Sequence, residues 1–180
     1  MSLCAVHREG NKFVALTDSF SIYKDGYSYA YCHETKYSVS KDKKLLCVAS
    51  GNGSISHLIL LYITQHEFEN VSNLFDMNKI CMDISKFLHE ECGFDQFDDV
   101  SIILCTNEGK IYRAHTEINR INIGEHPSEM YDVIGYQCEA YRALVDYGIS
   151  FRDSFRFLCE SNIYSGVVSP IYETSIEIVK

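Results

Sequence analysis

The sequence predicts an α+β fold, a four-layer α-β-β-α sandwich, and three observations point to it. Local patterns along the chain run strands, two helices, strands, two helices, strand, so the helices come in consecutive pairs. That order argues against a doubly wound parallel sheet, in which single helices alternate with strands. The strand segments are largely apolar runs, as two mainly antiparallel sheets need when they bury facing surfaces against each other. The 180 residues, 46% hydrophobic and 13% aromatic with only two prolines, suit one domain over 1–180 with a sizeable core. The same composition excludes a disordered chain.

The elements follow in order. Leu3 to Arg8 is an apolar run, Glu9-Gly10-Asn11 a turn signal and Phe13 to Leu16 a second run, so the three form a hairpin. Tyr27 to Tyr31 alternates as Tyr-Ser-Tyr-Ala-Tyr, a period of two with one aromatic face. Lys44 to Ala49 is a further apolar strand that ends at Ser50-Gly51-Asn52-Gly53. The period then changes. Ile55, Leu58, Ile59, Tyr62 and Ile63 recur at helical spacing. Asn78 or Asp76 can cap a second helix with Ile80, Ile84, Phe87 and Leu88 on its apolar stripe and Gly93 beyond its end. Strands resume at Val100 to Cys105, turn at Asn107-Glu108-Gly109, and continue from Lys110 to Ala114. Tyr131 to Ile134 is a short strand. Gly135 opens a helix marked by Ala140, Leu144, Val145 and Tyr147, and a second helix after Ser150 is marked by Phe151, Phe155 and Leu158. A last strand runs from Tyr172 to Val179. No linker, repeat or low-complexity stretch divides the chain.

Charge and cysteine usage narrow the function. Sixteen basic residues against 25 acidic give a formal net charge of −9, and the densest basic cluster is Lys41, Lys43 and Lys44, so a duplex nucleic-acid partner is not expected. The eight cysteines are scattered with no CxxC pair, which disfavours a zinc cage or a thioredoxin-type motif. Most lie in apolar runs and read as small core residues. The seven histidines show no H-x-x-x-H or H-x-H spacing, so no metal site is expected. Neither a GxGxxG nor a GxxxxGK[ST] loop is present, so no nucleotide cofactor is expected. The N-terminal MSLCAVHREG lacks the apolar core of a signal peptide, and the longest apolar run, Leu58 to Ile63, is far short of a membrane span. A reduced, cytoplasmic setting and no membrane partner are the expectation.

Four segments then stand out. Ser2-Leu3-Cys4-Ala5-Val6 leads through the hairpin to Ala15-Leu16-Thr17-Asp18-Ser19, a step of 16 positions from Ser2 to Asp18. Lys44 to Gly51 is an apolar strand closed by Ser-Gly, Val133-Ile134-Gly135 is a strand-to-helix junction, and Asn162-Ile163-Tyr164-Ser165-Gly166 lies near the C-terminus. With the order of elements, these segments resemble the N-terminal-nucleophile (Ntn) hydrolases, and the proteasome β-type subunits in particular. In that family an N-terminal threonine, more rarely serine, begins the first strand. The resemblance implies that Ser2 is the nucleophile, Asp18 the partner of a lysine, Gly51 the oxyanion-hole donor and Ser165 an accessory serine. Lys36 is the best candidate for the lysine, with one residue inserted before the Leu45-Leu46 strand. It also implies a homo-oligomer, built as a ring or stacked rings, that acts on a peptide or small amide.

The chemistry needs those residue types. A free α-amine has a pKa of about 8, so it can be neutral and act as general base toward its own residue's hydroxyl. A nearby lysine makes the local field positive and lowers the pKa of both groups. A backbone N–H at the end of a strand stabilises the oxyanion. Each residue also has an ordinary reading: Ser2 as a plain second residue, Asp18 as a turn former, Lys36 as a solvated lysine, Gly51 as a strand-to-helix turn, Ser165 as a loop residue. Cys4 as a thiol nucleophile is disfavoured, being mid-strand with no free amine and only 14 positions from Asp18. Three features depart from the active pattern. Tyr136 follows Gly135 where the family usually has serine, Asn162 stands where it usually has aspartate, and the Ser2 amine is free only once Met1 is removed. An inactive scaffold member of the fold and a small-molecule amidase are therefore the alternatives to a peptidase.

Overall fold

The computed structural model describes residues 2–25, 28–95, 97, 99–125, 129–161 and 171–179. In chain order the strands and helices are β1 (Leu3–Glu9), β2 (Lys12–Asp18), β3 (Phe20–Asp25), β4 (Ser28–His33), β5 (Tyr37–Val39), β6 (Leu45–Gly51), α1 (Gly53–Gln65), α2 (Leu74–Lys86), β7 (Val100–Thr106), β8 (Ile111–Glu117), β9 (Arg120–Glu125), β10 (Tyr131–Gly135), α3 (Cys138–Asp146), α4 (Phe151–Glu160) and β11 (Ile171–Glu177). A single π-helical turn, Phe87–Glu91, continues α2.

The predicted sandwich is present. One antiparallel sheet has the order β10-β1-β2-β11 and the other β5-β6-β7-β8-β9, and β3 and β4 form a separate hairpin. Three apolar clusters define the layers. Cys4, Val6, Phe13 and Ala15 meet Leu46, Val48, Ile103 and Cys105 between the two sheets. Leu3, Ala5, Val14 and Leu16 face Tyr141, Phe155 and Leu158 of α3 and α4. Leu45, Cys47 and Ala49 face Ile55, Ile59, Met77 and Ile84 of α1 and α2. Both faces of β1, β2 and β6 are thus buried, which explains their unbroken apolar runs. Among the described residues, Cys4, Cys47, Cys81 and Cys105 are buried free thiols, as their apolar neighbours predict.

Several boundaries differ from the sequence reading, each for a physical reason. Helix α2 begins a turn earlier than expected, because its cap is Asn73 and neither Asn78 nor Asp76. The Asn73 side chain accepts from the N–H groups of Phe75 (2.9 Å) and Asp76 (3.0 Å). Asp76 turns back to accept from the Ser72 N–H and hydroxyl, a reciprocal arrangement close to a capping box. Leu74 and Phe75 in that first turn face solvent, so hydrophobic periodicity does not mark it. In α3 the buried residue is Tyr141, whereas Ala140 and Tyr147 are exposed. Strands β3, β5 and β9 lie outside the sequence reading; β5 is only three residues long, and β9 offers only Ile121 and Ile123 as an alternating apolar pair. Among the described residues, no helix is long and apolar enough to cross a membrane.

The topology brings four chain ends to one edge of the sandwich. The start of β1 pairs with the end of β10, Leu3 opposite Gly135. It also pairs with the end of β2, Cys4 opposite Thr17. Strand β6 packs across the sheet interface on β1 and β10, and its end, Ser50-Gly51, reaches the same edge.

Candidate active site

Ser2 stands immediately before β1, half-buried. Its carbonyl oxygen accepts from the Tyr136 N–H at 2.7 Å, so β10 fixes the position of its main chain. The approach is close enough to require glycine at position 135. That residue has a φ of +94°, and a Cβ there would lie 2.0 Å from the Ser2 carbonyl oxygen. Tyr136 supplies this backbone donor and is itself 40% exposed.

Asp18 ends β2 one strand away. Its Oδ1 accepts from the Leu3 N–H at 2.9 Å and from the Lys36 Nζ at 2.8 Å. Both side chains of the ion pair are buried, 10% and 8% exposed. One carboxylate oxygen therefore ties the residue after Ser2 to the lysine ammonium. Strand β6 holds the Lys36 backbone as well, since the Ala49 N–H donates to its carbonyl at 3.1 Å. Lys36 thus contacts Asp18 directly.

Gly51 closes β6 with a φ of +129°, and a Cβ there would fall 1.8 Å from the Asp99 carbonyl oxygen. The Asp99 carbonyl accepts from the Asn52 N–H at 3.0 Å, and the Asn52 side chain caps α1 through the Ser54 and Ile55 N–H groups. The strand-to-helix turn that carries Gly51 is therefore fixed on both sides. Ser2, Lys36, Ala49, Ser50, Gly51 and His57 line one cleft that is partly open to solvent.

Four of the five residues expected from the sequence, Ser2, Asp18, Lys36 and Gly51, gather around this cleft or the ion pair behind it. Ser165, Asn162 and Met1 lie outside the described residues. Cys4 does not compete as a nucleophile. It is fully buried between the sheets, its thiol donates to the Ala49 carbonyl at 3.6 Å, and burial pushes its pKa far up despite the nearby Lys36 charge. Cys159 at the end of α4 is pushed up to about 12, by burial first and by the Asp18 charge second. Sequence reasoning passed over Ser50. It is buried, and the position of a Cβ at Gly135 is only 2.8 Å from its hydroxyl oxygen. Strand alternation was the available signal: Leu46 and Val48 point between the sheets, so Ser50 does too.

The chain has the Ntn-hydrolase fold of the proteasome β-subunit kind. No family model and no curated protein matches the sequence, so solved structures carry the comparison. BPH from Thiobacillus denitrificans, in complex with epoxomicin, matches with a TM-score of 0.68 at 12% identity, over 99% of this chain and 100% of that one. Eukaryotic HslV from Trypanosoma brucei matches with a TM-score of 0.58 at 15% identity, over 97% and 99%. Anbu, an ancestral β-subunit, from Yersinia bercovieri matches with a TM-score of 0.65 at 13% identity, over 97% and 81%.

Proposed function

We propose that this protein is an amide hydrolase, a peptidase that uses Ser2 as its N-terminal nucleophile once Met1 is removed. The observation that carries the reading is the buried contact of Asp18 with both Lys36 and the Leu3 N–H, directly behind Ser2. An ammonium held there keeps the local potential positive and favours the neutral amine and an activated hydroxyl. The α-amine accepts the Ser2 hydroxyl proton as Oγ adds to the substrate carbonyl carbon. The Gly51 N–H stabilises the oxyanion. Collapse breaks the C–N bond, the leaving amine takes the proton, and an ester remains on Ser2. Water, deprotonated by the same amine, then releases the acid and restores the hydroxyl. No cofactor enters these steps.

The protein works as a homo-oligomer in the cytoplasm. Exposed apolar side chains on α2 and α4, Phe75, Met82 and Phe157, support such assembly, and their contacts must overcome the repulsion of the −9 net charge. An epoxyketone tests the chemistry, because its ketone takes a hydroxyl and its epoxide an amine on the same residue. The expected result is one adduct of full probe mass on Ser2, absent in Ser2→Ala. An intact native chain that keeps Met1, or no adduct and no peptide cleavage, overturns the proposal. The second reading, an inactive scaffold member, is favoured by Tyr136 in place of serine. It requires Ser2→Ala to leave assembly and biological activity unchanged. Light scattering separates a monomeric small-molecule amidase from an assembled peptidase.

A further inference from the structure

We propose that Ser50 is a positioning residue for the Ser2 α-amine, supplying from β6 the hydroxyl that Tyr136 does not supply from β10. The inference rests on Ser2 carrying a free amine and goes beyond the residues assigned above. Three observations support it. The Ser50 hydroxyl oxygen and the Ser2 carbonyl oxygen both lie within 3 Å of one point, at 2.8 and 2.0 Å from the position of a Cβ on Gly135. Ser50 and Ser2 line the same cleft. Ser50 is 6% exposed, so its side chain is turned inward from the surface.

The geometry points the hydroxyl toward Ser2. Ser50 follows Leu46 and Val48 on the face of β6 that looks toward the other sheet. At the end of the strand, the Ser2 main chain lies opposite. The freed amine supplies the N–H that the Ser50 oxygen can accept. Accepting it turns the amine's lone pair away from Ser50 and toward the Ser2 hydroxyl. Such a bond stabilises the ammonium more than the amine, so it raises the amine pKa. Among the described residues, the other ionisable groups around the cleft and behind it are Glu34, Lys36, His57, Asp18 and the thiols of Cys4 and Cys159.

The test uses the full chain prepared with Ser2 as its first residue, in wild-type, Ser50→Ala and Ser50→Thr forms. Competitive acetylation across pH reads the amine pKa without requiring hydrolysis. The rate of epoxyketone addition across pH reads the chemistry. Ser50→Ala is expected to lower the amine pKa, to shift the acid limb of the addition rate to lower pH and to cut the plateau rate roughly tenfold. Ser50→Thr, which keeps a hydroxyl, is expected to restore the pKa and most of the rate. An amine pKa that is the same in wild type and Ser50→Ala overturns the proposal even if all three forms add the probe. A pKa that moves with Ser50 in a protein that adds no probe supports the positioning contact and overturns the hydrolase reading instead.

Discussion

Asp18→Asn removes the charge opposite Lys36 while leaving an oxygen for the Leu3 N–H, so it isolates the ion pair behind Ser2. The two side chains are 2.8 Å apart and only 8% and 10% exposed. Little water is available to replace the lost carboxylate. Removing one partner of a buried pair costs about 3–5 kcal/mol, since the other charge stays desolvated. At about 2–4 °C per kcal/mol for a chain of this size, the midpoint of thermal unfolding is expected to fall by about 10 °C. The double variant Asp18→Asn/Lys36→Met removes both charges and is expected to regain most of that loss, because a buried pair exchanged for apolar atoms is near neutral. Urea unfolding of the four proteins of this cycle measures both effects. A single variant within about 0.5 kcal/mol of wild type, or a double variant no more stable than Asp18→Asn, refutes the reasoning. Either result would mean that the pair is solvated and that Lys36 has no fixed place beside Ser2.

Other expectations follow from the same structure. Gly51→Ala puts a Cβ 1.8 Å from the Asp99 carbonyl oxygen at a φ of +129°, so it should cost about 3 kcal/mol or more in urea unfolding and abolish probe addition at Ser2. Stability should fall with acid in two stages. Burial lowers the His7 pKa below 6.5, so the folded state resists a proton that the unfolded chain binds, and stability declines below about pH 6.5. Glu9, hydrogen-bonded by Arg152 and His7, is held down to about 2, so its contribution is lost between 4.5 and about 2. Thermal melts of wild type and His7→Phe across pH check the first stage, which the variant should lack. Burial also raises the thiols of Cys4, Cys47, Cys81 and Cys105. Native alkylation at pH 8 should spare these four, and denaturant should expose them, as peptide mass mapping would show.

The architecture was legible because its strongest signals are periodic and long. The stripe of α1 and the runs of β1, β2, β6 and β7 read correctly, since residues buried on one or two faces must be apolar at fixed intervals. What escaped lies where tertiary contacts supply the constraint. Strands β5 and β9 are held by pairing at the margins of their sheet. The first turn of α2 is set by Asn73 and Asp76 with exposed apolar residues on it, and capping is a hydrogen-bond geometry rather than a hydrophobic pattern. In α3 the sequence offered several apolar residues, and only packing against the sheet chose Tyr141 over Ala140 and Tyr147.

For the site, the sequence by itself determined the chemical types and one distance along the chain: a serine at position 2, an acid 16 residues on, and a glycine closing an apolar strand. It left the lysine as a choice among candidates, because spacing along a chain says nothing of which ammonium crosses to which carboxylate. In the tertiary structure Lys36 meets Asp18. That structure also explained two glycines by close approach, Gly135 to the Ser2 carbonyl and Gly51 to Asp99. Ser50 came into view in the same way. Its chemistry was printed in the sequence, but its neighbour is a strand more than 40 residues distant, and only the packing of one sheet on the other brings the two together.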